Sequence, residues 1–126
     1  MMKKTVLLYH FDETELPKVR RALLPLKFRI RAVGKEEYSY PIGVLAGADE
    51  ADENGYPACT EEFGRLVVMG GLLSAEIDKV ILGLRKAGFG REVLKAVITP
   101  TNRGWNAFEL YREIHREHEQ LSGGAK

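Results

Sequence analysis

The densest run of groups able to hold a ligand is Thr99-Pro100-Thr101-Asn102-Arg103-Gly104-Trp105. It offers two hydroxyls, an amide and a guanidinium just before the start of a helix. Free N–H groups and the helix dipole favour a carboxylate or phosphate at such a place. Thr99, Thr101, Asn102 and Arg103 are therefore the expected contacts for a small anionic metabolite, with Tyr38 and Tyr40 closing over them from a long connection. The same run also reads as architecture. Pro100, Asn102 and Gly104 form turns, and Trp105 is placed to staple the next helix.

The remaining reactive residues form no catalytic set. His10 ends an apolar run and would serve as a general base only beside a nucleophile or an orienting carboxylate. Its neighbours Asp12 and Glu13 read as acids at a helix start. His115 and His118 stand three apart with Arg116 after the first, unlike the HExxH arrangement. No further ligand completes a tetrahedron, so no metal is expected. Cys59 lies close to Glu61 and Glu62, which disfavour the thiolate. Gly70-Gly71 turns a strand into a helix without a dinucleotide or P-loop pattern, and no cofactor is expected. Lys27, Arg29 and Arg31 make a short basic stripe, with only Tyr9 available as a stacking aromatic for RNA.

The elements that must position these groups follow from periodicity. Thr5 to Phe11 is a continuous apolar run, as in a strand buried on both faces. Leu16, Val19, Leu23 and Leu26 have helical spacing. Thr14 is the expected cap, because a cap at Asp12 would push Pro17 to a position that must donate. Lys27 to Val33 alternates apolar and basic, as at a half-solvated edge. Residues 34–64 have no sustained period and contain ADEADENG. Within them Pro41 to Gly47 fits either a helical turn or a short strand. A connection this long is often functional.

Leu66 to Met69 is a second fully apolar strand. A helix capped by Ser74 carries Ile77, Val80, Ile81 and Leu84 and stops at Gly88. Leu94 to Thr99 is a fourth strand, and Asn106 with Glu109 begins a last helix as a capping box, with Leu110 completing the staple. A shift of 61 residues superposes Val6 on Val67, Phe11 on Leu72, Glu15 on Glu76, Val19 on Val80 and Leu23 on Leu84, which suggests a duplicated βαβ unit.

This order predicts an α+β, ferredoxin-like βαββαβ sheet with a long insertion between strands two and three and an extra C-terminal helix. The alternative is a small parallel α/β sheet. Strands one and three should be central, because they are apolar on both faces, and strand two should be an edge. One domain is expected over residues 1–120, with 121–126 a disordered tail. In this sheet the end of strand four is expected beside both ends of the long connection, with Tyr9, His10 and Gly70 at the other edge. Two helices cover one face only, so a homodimer is expected to cover the second. The other candidates are the long connection and the terminal helix, the latter folded back through Phe108, Tyr111 and Ile114 as the rival to a dimer.

Composition narrows the class. The chain has 126 residues, 44% of them hydrophobic, 29% charged, with a net charge of +1. That is globular, and it gives no whole-molecule reason to expect nucleic acid or an anionic membrane. The apolar run after MMKK is too short for a signal peptide or a membrane span. One cysteine excludes an internal disulfide and suits a reducing compartment, so a cytoplasmic location is expected.

The segments LLYHF, PIGVLAG, LVVMGGL and above all LKAVITPTNRGW resemble a family of small bacterial proteins of unknown function, loosely labelled as amino-acid metabolism. The likeness runs from about Val6 to Glu119 and brings no catalytic residues. Where that family carries asparagine after LLY, this chain has His10. The expected function is a small non-catalytic ligand-binding or regulatory domain, perceiving an amino acid or other small anion. The alternatives are an enzyme using His10 with a carboxylate from a partner subunit, and a ligand-free assembly module.

Overall fold

The computed structural model describes residues 3–90 and 92–124, the side chains of 117–124 excepted. Four strands, β1 (Thr5–Tyr9), β2 (Arg29–Ala32), β3 (Leu66–Gly70) and β4 (Leu94–Val97), form one sheet in the order β2-β1-β3-β4. The helices are α1 (Leu16–Leu23), α2 (Ile42–Leu45), α3 (Ser74–Lys86) and α4 (Ala107–Gly124). Strand β1 is parallel to β2, and β3 is parallel to β4. The central pair β1·β3 is antiparallel.

The mixed α+β class and the central position of the two apolar strands agree with the sequence; the ferredoxin-like order does not. In that fold each outer strand pairs with the other unit's central strand. Here each pairs within its own βαβ unit. A tight hairpin would force β2 beside β3, but residues 33–65 join them and impose no adjacency. Each unit therefore closes as an ordinary parallel crossover.

The duplication is visible in the register. Leu7 pairs with Val68, its own equivalent under the 61-residue shift. A pseudo-twofold axis thus runs between them. The helices obey it too, since a Cβ on Gly83 would lie 3.4 Å from the carbonyl oxygen of Ala22, its equivalent. The turns after β1 and β3 also match. Asp12 N–H donates to Glu15 at 3.0 Å, and Leu73 N–H to Glu76 at 2.8 Å. His10 (φ 65°) and Gly71 (φ 76°) are the paired left-handed residues that end the two central strands.

Local starts differ from expectation by small steps. Asp12, not Thr14, gathers the free donors before α1, accepting from the N–H groups of Thr14 and Glu15 at 2.9 Å. The intervening turn of residues 13–15 lets Pro17 still fall within the first positions of α1, where it breaks no bond. Leu73 rather than Ser74 is the residue before α3. The capping box of α4 is present, with Asn106 and Glu109 exchanging bonds of 2.9 Å. Pro41 to Gly47 contains one helical turn, α2. α4 continues through Leu121 to Gly124, and the end of the tail expected to fray, 125–126, lies outside the described residues.

Both faces of the sheet are covered. On one, Val6, Leu8, Val67 and Met69 pack on Val19 and Leu23 of α1 and Val80 and Leu84 of α3. Each such buried side chain contributes about 1.5–3 kcal/mol. On the other, Leu7, Tyr9, Leu66 and Val68 meet Ile42 and Leu45 of α2 and Ala107 and Leu110 of α4. The face that motivated a homodimer is thus covered by this chain's own segments, with Tyr111 and Ile114 among them. No helix among the described residues is long and apolar enough to cross a membrane.

Candidate functional site

The strand directions divide the polar groups between two ends of the sheet. Tyr9, Ala32 and the start of β3 share one end, so the long connection leaves and returns beside His10. Val97 and Gly70 share the other, because β4 is parallel to β3. The expectation that put His10 opposite the connection's ends, and the end of β4 beside them, is therefore reversed.

At the far end, the Thr99–Trp105 turn is held by its own side chains. Asn102, 8% exposed, accepts from Thr99 N–H at 2.8 Å and donates to Val97 O at 3.1 Å. Arg103 makes a two-pronged pair with Asp49, including Nε to Oδ2 at 2.9 Å. That hydrogen bond holds the Asp49 carboxyl below its usual range. Backbone bonds from Ile42 N–H to Trp105 O (2.8 Å) and from Gly43 N–H to Arg103 O (2.9 Å) complete a clamp of α2 on the turn. PIGVLAG does close over the turn, but Tyr38 and Tyr40 do not. Tyr40 lies against Tyr56, 5.0 Å between ring centres, and Tyr38 sits with His10. Thr99, Thr101 and Asn102 line a cavity of about 310 Å³ with Lys95, Trp105 and Glu113.

At the near end a different site assembles. The left-handed backbone at His10 separates Tyr9, which turns to the connection-side core, from Phe11, which turns to the helix-side core. The His10 ring lies 4.5 Å from Phe63 and 4.8 Å from Tyr38, and those two are 5.2 Å apart. Tyr38 reaches His10 through its hydroxyl, 3.4 Å from Nδ1. These three rings border a cavity of about 550 Å³. Lys35 lies in its wall, as do Cys59, Glu61 and Glu62.

Electrostatics describe what this cleft can do. Burial lowers the His10 pKa, which favours the neutral ring. Burial raises the Tyr38 phenol, opposed by a hydrogen bond from the His10 backbone. Burial also raises the Cys59 thiol, and the Glu61 charge adds to it. The thiol is thus kept protonated, and its bonds go to Glu61. Asp12 is occupied by Thr14 and Glu15. Behind the cleft, the buried Tyr9 ring contacts Tyr38 and Phe63, and its hydroxyl has no partner among the described residues. Arg31 is bound to Glu37 and to Leu45 O, so the basic stripe expected to be solvated is partly neutralised by the connection.

Among the described residues no three of His, Cys, Asp and Glu gather as a metal site; the His118 side chain lies outside the described residues. The sequence reading missed Lys35, Phe63, Glu61 and Glu62 as companions of His10. One signal was available: the 61-residue shift places His10 on Gly71. A histidine standing where the sister unit uses glycine accepts left-handed strain that glycine avoids.

No curated protein and no solved structure matches the chain. A domain of unknown function (DUF3783) matches residues 65–121, the second βαβ unit together with most of α4.

Proposed function

We propose that this chain is a small, non-catalytic ligand-binding domain whose ligand sits in the cleft bordered by His10, Tyr38 and Phe63. One observation carries the reading: a 550 Å³ cavity opens on a histidine held at φ 65° where the duplicated unit has glycine. Left-handed strain in a non-glycine residue costs about 1–3 kcal/mol and gathers at functional positions. The volume falls in the range of small-molecule pockets, roughly 300–1,000 Å³. Aromatic rings with Lys35 on the wall and Glu61 and Glu62 beside it suit a ligand bearing both carboxylate and ammonium groups, such as an amino acid. The rival enzyme reading needs an orienting carboxylate for His10, and the ring's described partners are Tyr38 and Phe63.

The test is a melting screen against the common amino acids, followed by calorimetric titration of any hit. A ligand at a hundredfold excess over its Kd stabilises by about 2.7 kcal/mol, several degrees in Tm for a domain of this size. Lys35→Ala with Tyr38→Ala should abolish the shift, while Thr101→Ala, at the opposite end, should leave it. Loss of the shift in Thr101→Ala alone would move the site to the Thr99–Trp105 turn.

A further inference from the structure

The net charge of +1 conceals a separation of charge that the fold turns into two faces. Helix α1 carries three cations (Lys18, Arg20 and Arg21) and no carboxylate, whereas residues 34–64 carry eight carboxylates and one cation. Helices α1 and α3 lie on one side of the sheet, and the acidic connection crosses the other, pinned there by Asp49 to Arg103 and by Tyr56 to Tyr40. Between α1 and α3 runs a groove of about 330 Å³. Its floor is Ala22, Gly83 and Ala87, where the helices approach on the pseudo-twofold axis, and its walls are Lys18, Arg21 and Lys86. None of these three cations is in an ion pair among the described residues. On the opposite face, Glu50, Ala51, Asp52 and Glu53 are exposed.

We infer that this groove receives the Glu50–Glu53 segment of a second copy of the same chain. The complementarity is in shape as well as sign. Small residues floor the groove, Ala51 is the small residue between the acids, and the walls supply cations to Glu50 and Glu53. The two surfaces lie on opposite faces of one molecule, so the contact is head-to-tail and leaves a groove free at one end and an acidic segment free at the other. Such a contact extends into open stacks instead of closing as a symmetric dimer. A single exposed ion pair contributes little; the association rests on several charges acting together and is correspondingly sensitive to salt.

Sedimentation of the full chain tests this with two neutralising variants, Lys18→Gln with Arg21→Gln in the groove and Glu50→Gln with Glu53→Gln in the segment. At low salt the wild type should show a mass that rises above 14.2 kDa with concentration. Raising ionic strength from about 0.05 M to about 0.5 M should weaken the association tenfold or more, to about the limit that screening allows. Each variant alone should be monomeric. A mixture of the two should form a one-to-one pair and nothing larger, because only one native junction remains. A wild type that stays at 14.2 kDa, variants that associate as the wild type does, or a mixture that stays monomeric would each overturn the inference. So would a monomer that binds heparin through Lys18 and Arg21, which would assign the groove to a foreign polyanion.

Discussion

Tyr9→Phe should make the protein more stable, and the amount can be worked from its surroundings. The residue is 0% exposed in the connection-side core. Its hydroxyl is buried without a partner among the described residues. A buried, unsatisfied polar group costs about 1–3 kcal/mol. Removing the oxygen leaves a void of roughly 15 Å³, which takes back about 0.4 kcal/mol at about 24 cal/mol per Å³. The ring and its contacts with Tyr38 and Phe63 remain. The net gain is about 1–2 kcal/mol. With an unfolding entropy of about 2.1 cal/mol/K per residue, a chain of this length gains about 4 °C per kcal/mol, so Tm should rise by about 4–8 °C.

Urea unfolding at neutral pH measures the gain directly, and alkali supplies a second readout. Burial raises the Tyr9 pKa above 10.0, so the folded state holds its proton where the unfolded state releases it. That stability is fully present below pH 10 and is lost as pH rises through the folded value. The wild type should therefore lose stability faster than Tyr9→Phe above pH 10. A Tyr9→Phe protein destabilised by 1 kcal/mol or more, at about the worth of a made hydrogen bond, would refute the reasoning. It would show that the hydroxyl has a partner in solution.

Three further outcomes follow from the same packing. Gly43→Ala should cost about 1–3 kcal/mol by overpacking, since the added Cβ would stand 2.8 Å from the Arg103 carbonyl oxygen; urea unfolding checks it. The wild type should lose stability as pH falls below 3.8 toward the lowered Asp49 value, and Asp49→Asn should lack that component, read as a difference between their acid melting curves. His10, with its pKa lowered by burial, should favour folding above 6.5 and oppose it as pH falls below that value; His10→Asn, which tolerates the left-handed backbone, should flatten this part of the stability–pH profile.

Periodicity revealed the four strands and helices α1, α3 and α4 because it reports local burial; it left α2 open between a helical turn and a strand, and the outer-strand pairing escaped because it is not local. Leu7 and Val68 read as central because both of their neighbours are also apolar, and they are central. Arg29 and Arg31 read as an edge, and β2 is one. Nothing in β2 says which central strand it joins; that is decided by the connection after it, whose length frees it from a hairpin. The capping box of Asn106 and Glu109 was legible because it spans four residues. The Arg103–Asp49 pair was not, since it joins residues 54 apart through a segment without pattern.

The internal repeat is what brings His10 forward, and it does so by comparison within one molecule. Two βαβ units place a left-handed residue after each central strand and follow it with the same glutamate-capped turn. In the second unit glycine satisfies the backbone at little strain, and a helix follows. In the first, histidine takes the same conformation and the chain places Tyr38 and Phe63 around it. A purely architectural requirement would be met equally by glycine at both positions. The difference between the halves, His10 against Gly71, is the observation on which the proposed ligand cleft rests. The same divergence separates Tyr9, whose buried hydroxyl opposes stability behind that cleft, from Gly70, its equivalent at the quiet end. A left-handed histidine and a phenol without a partner among the described residues fall at one end of the sheet, beside a cavity of about 550 Å³.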